Sequence, residues 1–141
     1  MRNLDLPGGG ELISEEDCWR LLGTVDYGRL VVDADGRPDV FPVNFEVVGS
    51  AIVVRTNMGH KLLSALRGQV AFEVDQVDKG ARAGWSVVVH GRARDASDEP
   101  GLVERTPWTG PKAFRLKIEP ETITGRRIRL PAGPEDQGRT S

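Results

Sequence analysis

Side chains between positions 55 and 61 could together bind an anion. Arg55 and Thr56 end an apolar run with the composition of a strand, and His60 and Lys61 follow a glycine where a segment with helical spacing begins. A helix N-terminus carries unpaired N–H groups and a partial positive charge, so cations there are unfavourable unless an anion is present. We therefore predict that Arg55, Thr56 and Lys61 bind a phosphate group. The alternative is that Arg55 and Lys61 are solvated surface charges.

Two strands and a helix must position this cluster. Asp39–Val47 alternates with a period of two, which predicts a half-buried strand. The predicted buried face carries Phe41, Val43, Phe45 and Val47, and the opposite face carries Pro42, Asn44 and Glu46. Gly49–Ser50 predicts a turn, Ala51–Thr56 a second strand, and the leucines before Gly68 a helix.

The rest of the chain adds one helix and further strands. A helix is predicted to begin at Ser14, with Asp17 in a capping-box position, and to end at Gly23. Its predicted inner face holds Cys18, Leu21 and Leu22. Strands are predicted over Val25–Val32, Gln69–Val77, Gly84–Ala93, Phe114–Glu119 and Ile123–Leu130, the last with a bend at Gly125. A short helix is predicted over Asp98–Glu104.

Strands joined by short turns, with few helices, indicate a mostly β (α+β) chain. The expected fold is an antiparallel split β-barrel of six to seven strands with a few short helices. We expect one domain over residues 11–130, a flexible lead over 1–10, where three glycines follow one another, and a disordered tail over 131–141.

Composition argues against several classes of function. The chain has 19 Lys and Arg against 21 Asp and Glu, a net charge of -2, so a nucleic-acid-binding protein is not expected. No segment approaches the roughly 20 apolar residues of a membrane span. One cysteine and two histidines provide neither an internal disulfide nor an ordinary zinc site, and a reducing cytoplasm fits this usage.

Other residues with reactive or aromatic side chains have structural explanations. A lone histidine in an apolar strand, such as His90, is more often a packed or edge residue than a catalyst, and Cys18 lacks an activating neighbour. Trp85 and Trp108 are expected either to pack within the barrel or to form an aromatic wall for a planar ligand. Arg126, Arg127 and Arg129 are expected to form a solvated strand face, or else to contact a cofactor phosphate or a subunit partner.

An ordered set of motifs resembles a known family. GRLVV, DGRPDVFPVNF, a strand ending in VRT, GHKL, VAFEVD, GWSVVVHGRA and ITGRRI follow one another between Leu12 and Ile128. Their order resembles the pyridoxamine 5'-phosphate oxidase-like proteins, and in particular a small actinobacterial branch with the flavin-binding split β-barrel.

The resemblance implies a homodimer that binds flavin mononucleotide (FMN) at its interface. It assigns the phosphate to Arg55, Thr56 and Lys61. It places Pro42, Val43 and Asn44 beside the isoalloxazine ring, where backbone groups can bond its pyrimidine edge. It brings Trp85 and Ser86 towards the flavin from a neighbouring strand or subunit.

Departures from the family narrow the expected activity. The arginine- and histidine-bearing C-terminal segment of true pyridoxamine phosphate oxidases is missing, so vitamin B6 oxidation is not expected. Related nitroimidazole reductases carry a histidine where this chain has Arg55. A flavin-dependent oxidoreductase acting on a small organic substrate and a non-catalytic flavin storage or sensing module both remain open. So do the deazaflavin F420 and heme, for which His60 or His90 would have to be the axial ligand.

Overall fold

The computed structural model describes residues 11–56, 66, 68–101 and 114–131. The elements of these ranges are β1 (Leu12–Ile13), α1 (Glu15–Leu22), β2 (Tyr27–Ala34), β3 (Arg37–Val48), β4 (Ala51–Thr56), β5 (Gln69–Asp78), β6 (Ala83–Asp95) and β7 (Phe114–Arg129). The predicted lead over 1–10, the helix after Thr56, Lys61, Trp108 and the tail beyond residue 131 lie outside the described ranges.

The strands form a single antiparallel sheet in the order β1-β7-β4-β3-β2-β5-β6. Because β7 pairs with β4 along one edge and with β6 along the other, the sheet closes on itself as a barrel. The short strand β1 adds to the far end of β7. The predicted antiparallel split β-barrel is thus confirmed.

Alternating apolar residues fill the barrel interior. Phe45 and Phe72 meet edge to face, with ring centroids 4.9 Å apart, which is a favourable aromatic geometry. Gly28 lies beside them, where an added Cβ would come within 2.7 Å of the Phe72 ring. The predicted inward faces of β3 and β5 are confirmed, since the interior includes Phe41, Val43, Phe45, Val70, Phe72 and Val74.

Helix α1 packs against β7 at one end of the barrel. Ser14 caps it as predicted, since the Ser14 Oγ accepts a bond of 3.1 Å from the Asp17 N–H. Cys18 and Leu22 are fully buried. Gly125, predicted as a bend, instead lies within a continuous strand and leaves room for the helix, because an added Cβ would lie 2.6 Å from the Cys18 Sγ. Among the described residues no helix has the length and apolar character needed to cross a membrane.

The observed elements differ from prediction at several points. The two strands expected at the C-terminal end are one strand, β7, because Pro120 is accommodated at a β-bulge opposite His90 and Gly91 instead of ending it. The first long strand begins at Tyr27, not Val25. The described part of the predicted helix over Asp98–Glu104 forms turns, up to Gly101.

A charged cluster crosses the outer surface of β2 and β5. The Arg29 Nη2 lies 2.7 Å from Glu73 Oε1 and 3.0 Å from Asp75 Oδ2. Burial, followed by the hydrogen bond with Asp75, raises the pKa of Glu73 from 4.5 to about 7 although Arg29 opposes the shift. Glu73 therefore holds a proton in the folded protein over a pH range in which the unfolded chain has lost it.

This shift predicts how stability depends on pH. Because the folded-state pKa of Glu73 is raised from 4.5 to about 7, its contribution to the free energy of unfolding falls as the pH rises between these values. Glu73→Gln removes the titration, so the variant should gain stability relative to the wild type as the pH rises across this window. Urea unfolding of both proteins at matched pH values measures the difference.

Asp75→Asn is the matched control for this experiment. Without the second carboxylate the pKa of Glu73 should fall, and the pH window should shrink towards its lower limit. A stability difference between wild type and Glu73→Gln that stays constant across the window would contradict the assignment.

Candidate functional site

Three polar residues stand side by side on the outer surface of the barrel. The register of β3 and β4 places Asn44 opposite Arg55, and that of β4 and β7 places Arg55 opposite Arg115. Directly opposed residues of antiparallel strands project from the same face of the sheet. The adjacent residues Phe45, Val54 and Leu116 belong to the core, so the Asn44–Arg55–Arg115 row faces outward.

The buried polar residues in the described part of the chain either belong to this row or lie next to it. Thr56 is 8% exposed and Arg115 6% exposed, and they are the buried polar residues among the described ranges. The side chain of Arg55 is 16% exposed, and its Nη1 lies 3.4 Å from the Glu46 Oε1. Burying charged groups is costly unless opposite charges accompany them. Two guanidinium groups therefore lie side by side at this corner of the barrel, and the Glu46 carboxylate accompanies Arg55.

The predicted phosphate ligands do not all share one face. Arg55 projects outward, whereas Thr56 has the parity of the inward residues Ile52 and Val54 and stands opposite Phe114 at the end of the barrel. Because β4 ends at Thr56, the two residues still meet at the same edge of the barrel. Lys61 falls outside the described residues.

The predicted ring-binding strand has an open edge. β3 pairs with β2 from Arg37 to Asn44, but its pairing with β4 covers only Asn44–Val48. The Phe45 N–H donates to the Asp26 carbonyl on the β2 side, so by alternation the backbone groups of Val43 also point to β2 and the Pro42 carbonyl points away from it. That carbonyl has no strand partner in the described part of the chain. Pro42 is exposed, whereas Val43 is 4% exposed, with its side chain in the core and its backbone groups directed to β2.

The structure does not bring Trp85 and Ser86 to this edge within one chain. Both lie on β6, which β2 and β5 separate from β3. Trp85 packs against the core cluster and also borders a surface depression of about 330 Å³ next to Arg127. Ser86 stands between Asp75 and Arg126.

Neither residue with a reactive side chain forms a catalytic arrangement with its described neighbours. Burial raises the pKa of the Cys18 thiol, with smaller contributions from Asp17 and Glu15, so this thiol is a packing group. His90 is exposed on β6 and borders an apolar depression of about 390 Å³.

One surface groove of the described part of the chain contains none of the predicted site residues. It has a volume of about 920 Å³ and lies between α1, the turn after β3 and the middle of β7. Its lining includes the carboxylates of Glu15, Glu99, Glu119 and Glu121. Such a lining repels a phosphate, so size alone does not identify the candidate site.

Arg115 is the residue that sequence reasoning missed. The alternation of Phe114, Leu116 and Ile118 puts Arg115 on the outward face of the strand, yet Arg115 is buried. The signal that reveals it is the pairing of β4 with β7, strands separated by β5 and β6 in the sequence.

A family model described as pyridoxamine 5'-phosphate oxidase matches residues 14–127. Among curated proteins, an uncharacterized protein of Mycobacterium tuberculosis is 38% identical over 128 residues, covering 82% of this chain and 84% of the relative.

Solved structures resemble the chain over most of its length. The FAD binding protein from Mycobacterium smegmatis has a TM-score of 0.71 at 40% identity, covering 84% of this chain and 98% of its own. A putative pyridoxamine 5'-phosphate oxidase from Corynebacterium glutamicum has a TM-score of 0.75 at 34% identity, covering 87% and 96%. The FAD and heme binding protein from M. smegmatis has a TM-score of 0.65 at 18% identity, covering 92% and 80%, which shows the fold alone.

The matched family model spans most of the chain, the ordered motifs fall within it, and the barrel is shared with these structures. The chain belongs to the pyridoxamine 5'-phosphate oxidase family.

Proposed function

We propose that this protein binds a flavin nucleotide, FMN or its dinucleotide FAD, on the outer surface of the barrel. The ring would lie along the open edge of β3 at Pro42 and Val43, and the phosphate near Arg55. The proposal depends mainly on one observation: Asn44 and Arg55 stand opposite each other beside that edge, and both side chains project outward. The M. smegmatis FAD binding protein, at 40% identity, supports a flavin.

The residues present fit the chemical needs of a flavin. Guanidinium groups bind phosphate through charge-assisted hydrogen bonds, and Arg55 and Thr56 lie at the edge where a helix is predicted to begin. The outward carbonyl of Pro42 and the side-chain amide of Asn44 together offer an acceptor and a donor to the pyrimidine edge of the ring. Heme is less favoured, because His90 lies on β6, which β2 and β5 separate from this edge, and His60 falls outside the described residues.

We infer that the bound flavin makes the protein an oxidoreductase acting on a small organic substrate. The flavin supplies hydride-transfer chemistry, while the chain positions the ring and sets its electrostatic surroundings. Arg29, held by Glu73 and Asp75, stands opposite Pro42 and would be the nearest charged group to the ring. A storage or sensing module of the same fold is the alternative.

A second copy of the chain would complete the site. A ring on the outer surface of one barrel is poorly buried, and Tyr27 and Val40 are each about half exposed on the same side of β2 and β3 as Asn44 and Pro42. A two-fold partner could cover the ring with its own Trp85 and Ser86 segment and form two equivalent sites.

The phosphate assignment is tested by Arg55→Gln. Losing a hydrogen bond to a charged group costs roughly 1.5 to 3 kcal/mol, so FMN affinity should fall about tenfold to hundredfold. Riboflavin lacks the phosphate, and its affinity should not change. Fluorescence titration of the flavin measures both. Equal affinities of the unmutated protein for riboflavin and FMN would rule out a phosphate site at Arg55.

Turnover is tested on the flavin-loaded protein. Reduced nicotinamide cofactors should bleach the flavin absorption, and small organic acceptors should restore it, as followed by stopped-flow spectroscopy. Failure of every donor and acceptor with a fully loaded protein would favour the non-catalytic module. The absorption spectrum at the start distinguishes flavin, deazaflavin and heme.

The shared site is tested by light scattering coupled to size exclusion. We expect a homodimer carrying two flavins, since each site would need residues of both copies. Trp85→Ala should weaken flavin binding while leaving the Arg55 edge intact. A monomer that binds one flavin tightly at micromolar concentration would contradict the shared site.

A further inference from the structure

We propose that a surface depression between β5, β6 and the end of β7 binds a small aromatic carboxylate through Trp85 and Arg127. The depression has a volume of about 330 Å³, and its lining also includes Gln76, Val77 and Gly84. This ligand is distinct from the flavin proposed above, and its binding can be measured without flavin.

Strand pairing places a flat aromatic ring beside a cation. Trp85 of β6 stands directly opposite Gln76 of β5 and opposite Arg127 of β7. Opposed residues of antiparallel strands project from one face of the sheet, with Cβ atoms about 4.5 to 5.5 Å apart. Three neighbouring strands therefore each supply one side chain to the depression, and one small ligand can contact all three.

The depression is open to solvent. Gln76 and Arg127 are exposed, and Val77 is 44% exposed. Trp85 is half-buried, because it packs against the core cluster and also borders the depression. Packing against the core orders the indole before a ligand arrives, and an ordered binding group loses less conformational entropy on binding. A ligand can thus reach an aromatic surface that is already fixed in place.

The charge beside the depression favours an anion. Within the described part of the chain Arg127 forms no ion pair, whereas Arg29 and Arg94 each contact two carboxylates. Asp78 also lines the depression, but its Oδ1 accepts from two backbone N–H groups of the β5–β6 turn, at 2.9 and 3.2 Å. Glu11 contacts Arg127 through its carbonyl, which accepts from the Arg127 N–H at 2.8 Å. The guanidinium therefore keeps its donors for a ligand.

These groups together match an aromatic carboxylate. The planar fork of a guanidinium can bond both oxygens of a carboxylate, and an indole stacks against a flat ring. Val77 adds apolar surface, which favours a ring over a polar sugar. A volume of about 330 Å³ lies near the lower end of the roughly 300 to 1,000 Å³ typical of ligand pockets, so the ligand is small.

Arg127→Gln tests the site, with Arg129→Gln as the matched control. Arg129 lies on the same strand, is also exposed and stands opposite Ala83, but it does not line the depression. Benzoate is the probe, added to the whole chain freed of flavin. Its binding is followed by ¹H–¹⁵N NMR through the Trp85 indole N–H, assigned with Trp85→Phe, and the Gly84 backbone N–H. We expect benzoate to shift both signals saturably, Arg127→Gln to weaken binding roughly tenfold, and Arg129→Gln to leave it unchanged.

Two analogues of benzoate test the charge and the flat ring separately. Benzamide keeps the ring without the charge and should bind roughly tenfold more weakly than benzoate. Cyclohexanecarboxylate keeps the charge without a flat ring and should bind about twofold to tenfold more weakly. Equal binding of benzamide and benzoate would rule out the role of Arg127, and equal binding of cyclohexanecarboxylate would rule out stacking on Trp85.

Three further results would overturn the site. The first is the absence of a saturable shift at Trp85 and Gly84, and the second is unchanged benzoate affinity in Arg127→Gln. The third is an equal loss in Arg129→Gln, which would attribute binding to the general positive charge of the strand. Arg127 is exposed, so its replacement leaves the fold intact, and the Gly84 signal reports binding even where Trp85→Phe does not fold. Because the protein is flavin-free, these results are independent of the FMN titrations of Arg55→Gln.

Discussion

Closure of the sheet through β7 is the constraint on which the rest of the structure depends. This strand pairs with β6 along most of its length and with β4 over its first part. The β-bulge at Gly91 lets it curve, since an added Cβ at Gly91 would lie 2.3 Å from the Glu119 carbonyl. Closure fixes the register between strands distant in sequence, and that register sets Arg115 beside Arg55.

The sequence predicted the structure well in strands with one buried and one solvated face, and at the start of the first helix. The alternation in β3 and β5 follows from a packed interior and a solvated exterior, so Phe41, Phe45 and Phe72 could be assigned to the core. The Ser14 cap was equally visible, because a capping hydroxyl and its partner N–H lie three residues apart. Both features depend only on residues that are close together in the sequence.

The sequence was uninformative where a residue's surroundings come from strands far along the chain. Pro120 reads locally as a strand end, but pairing with β6 carries the strand past it. Gly125 reads as a bend, but its role is to admit Cys18 of a helix more than 100 residues earlier. Arg115 reads as a surface charge because alternation identifies the face of a strand and not what covers that face. Arg55 could be placed at the end of a strand from the sequence, whereas its neighbour Arg115 could not.

The filled interior has a consequence for where ligands bind in this fold. A barrel packed with phenylalanine and valine has no room for a planar cofactor, so the proposed flavin would have to bind at an outer edge. In the described part of the chain, the first half of β3 has a free edge because β4 is short and pairs only with residues from Asn44 onward. Trp85 and Ser86 lie on the far side of β2 and β5 from that edge. A ligand that contacts both regions would have to bridge two copies, with β3 from one and β6 from the other. The separation of these residues in one chain is therefore a physical reason to favour a site shared between two barrels.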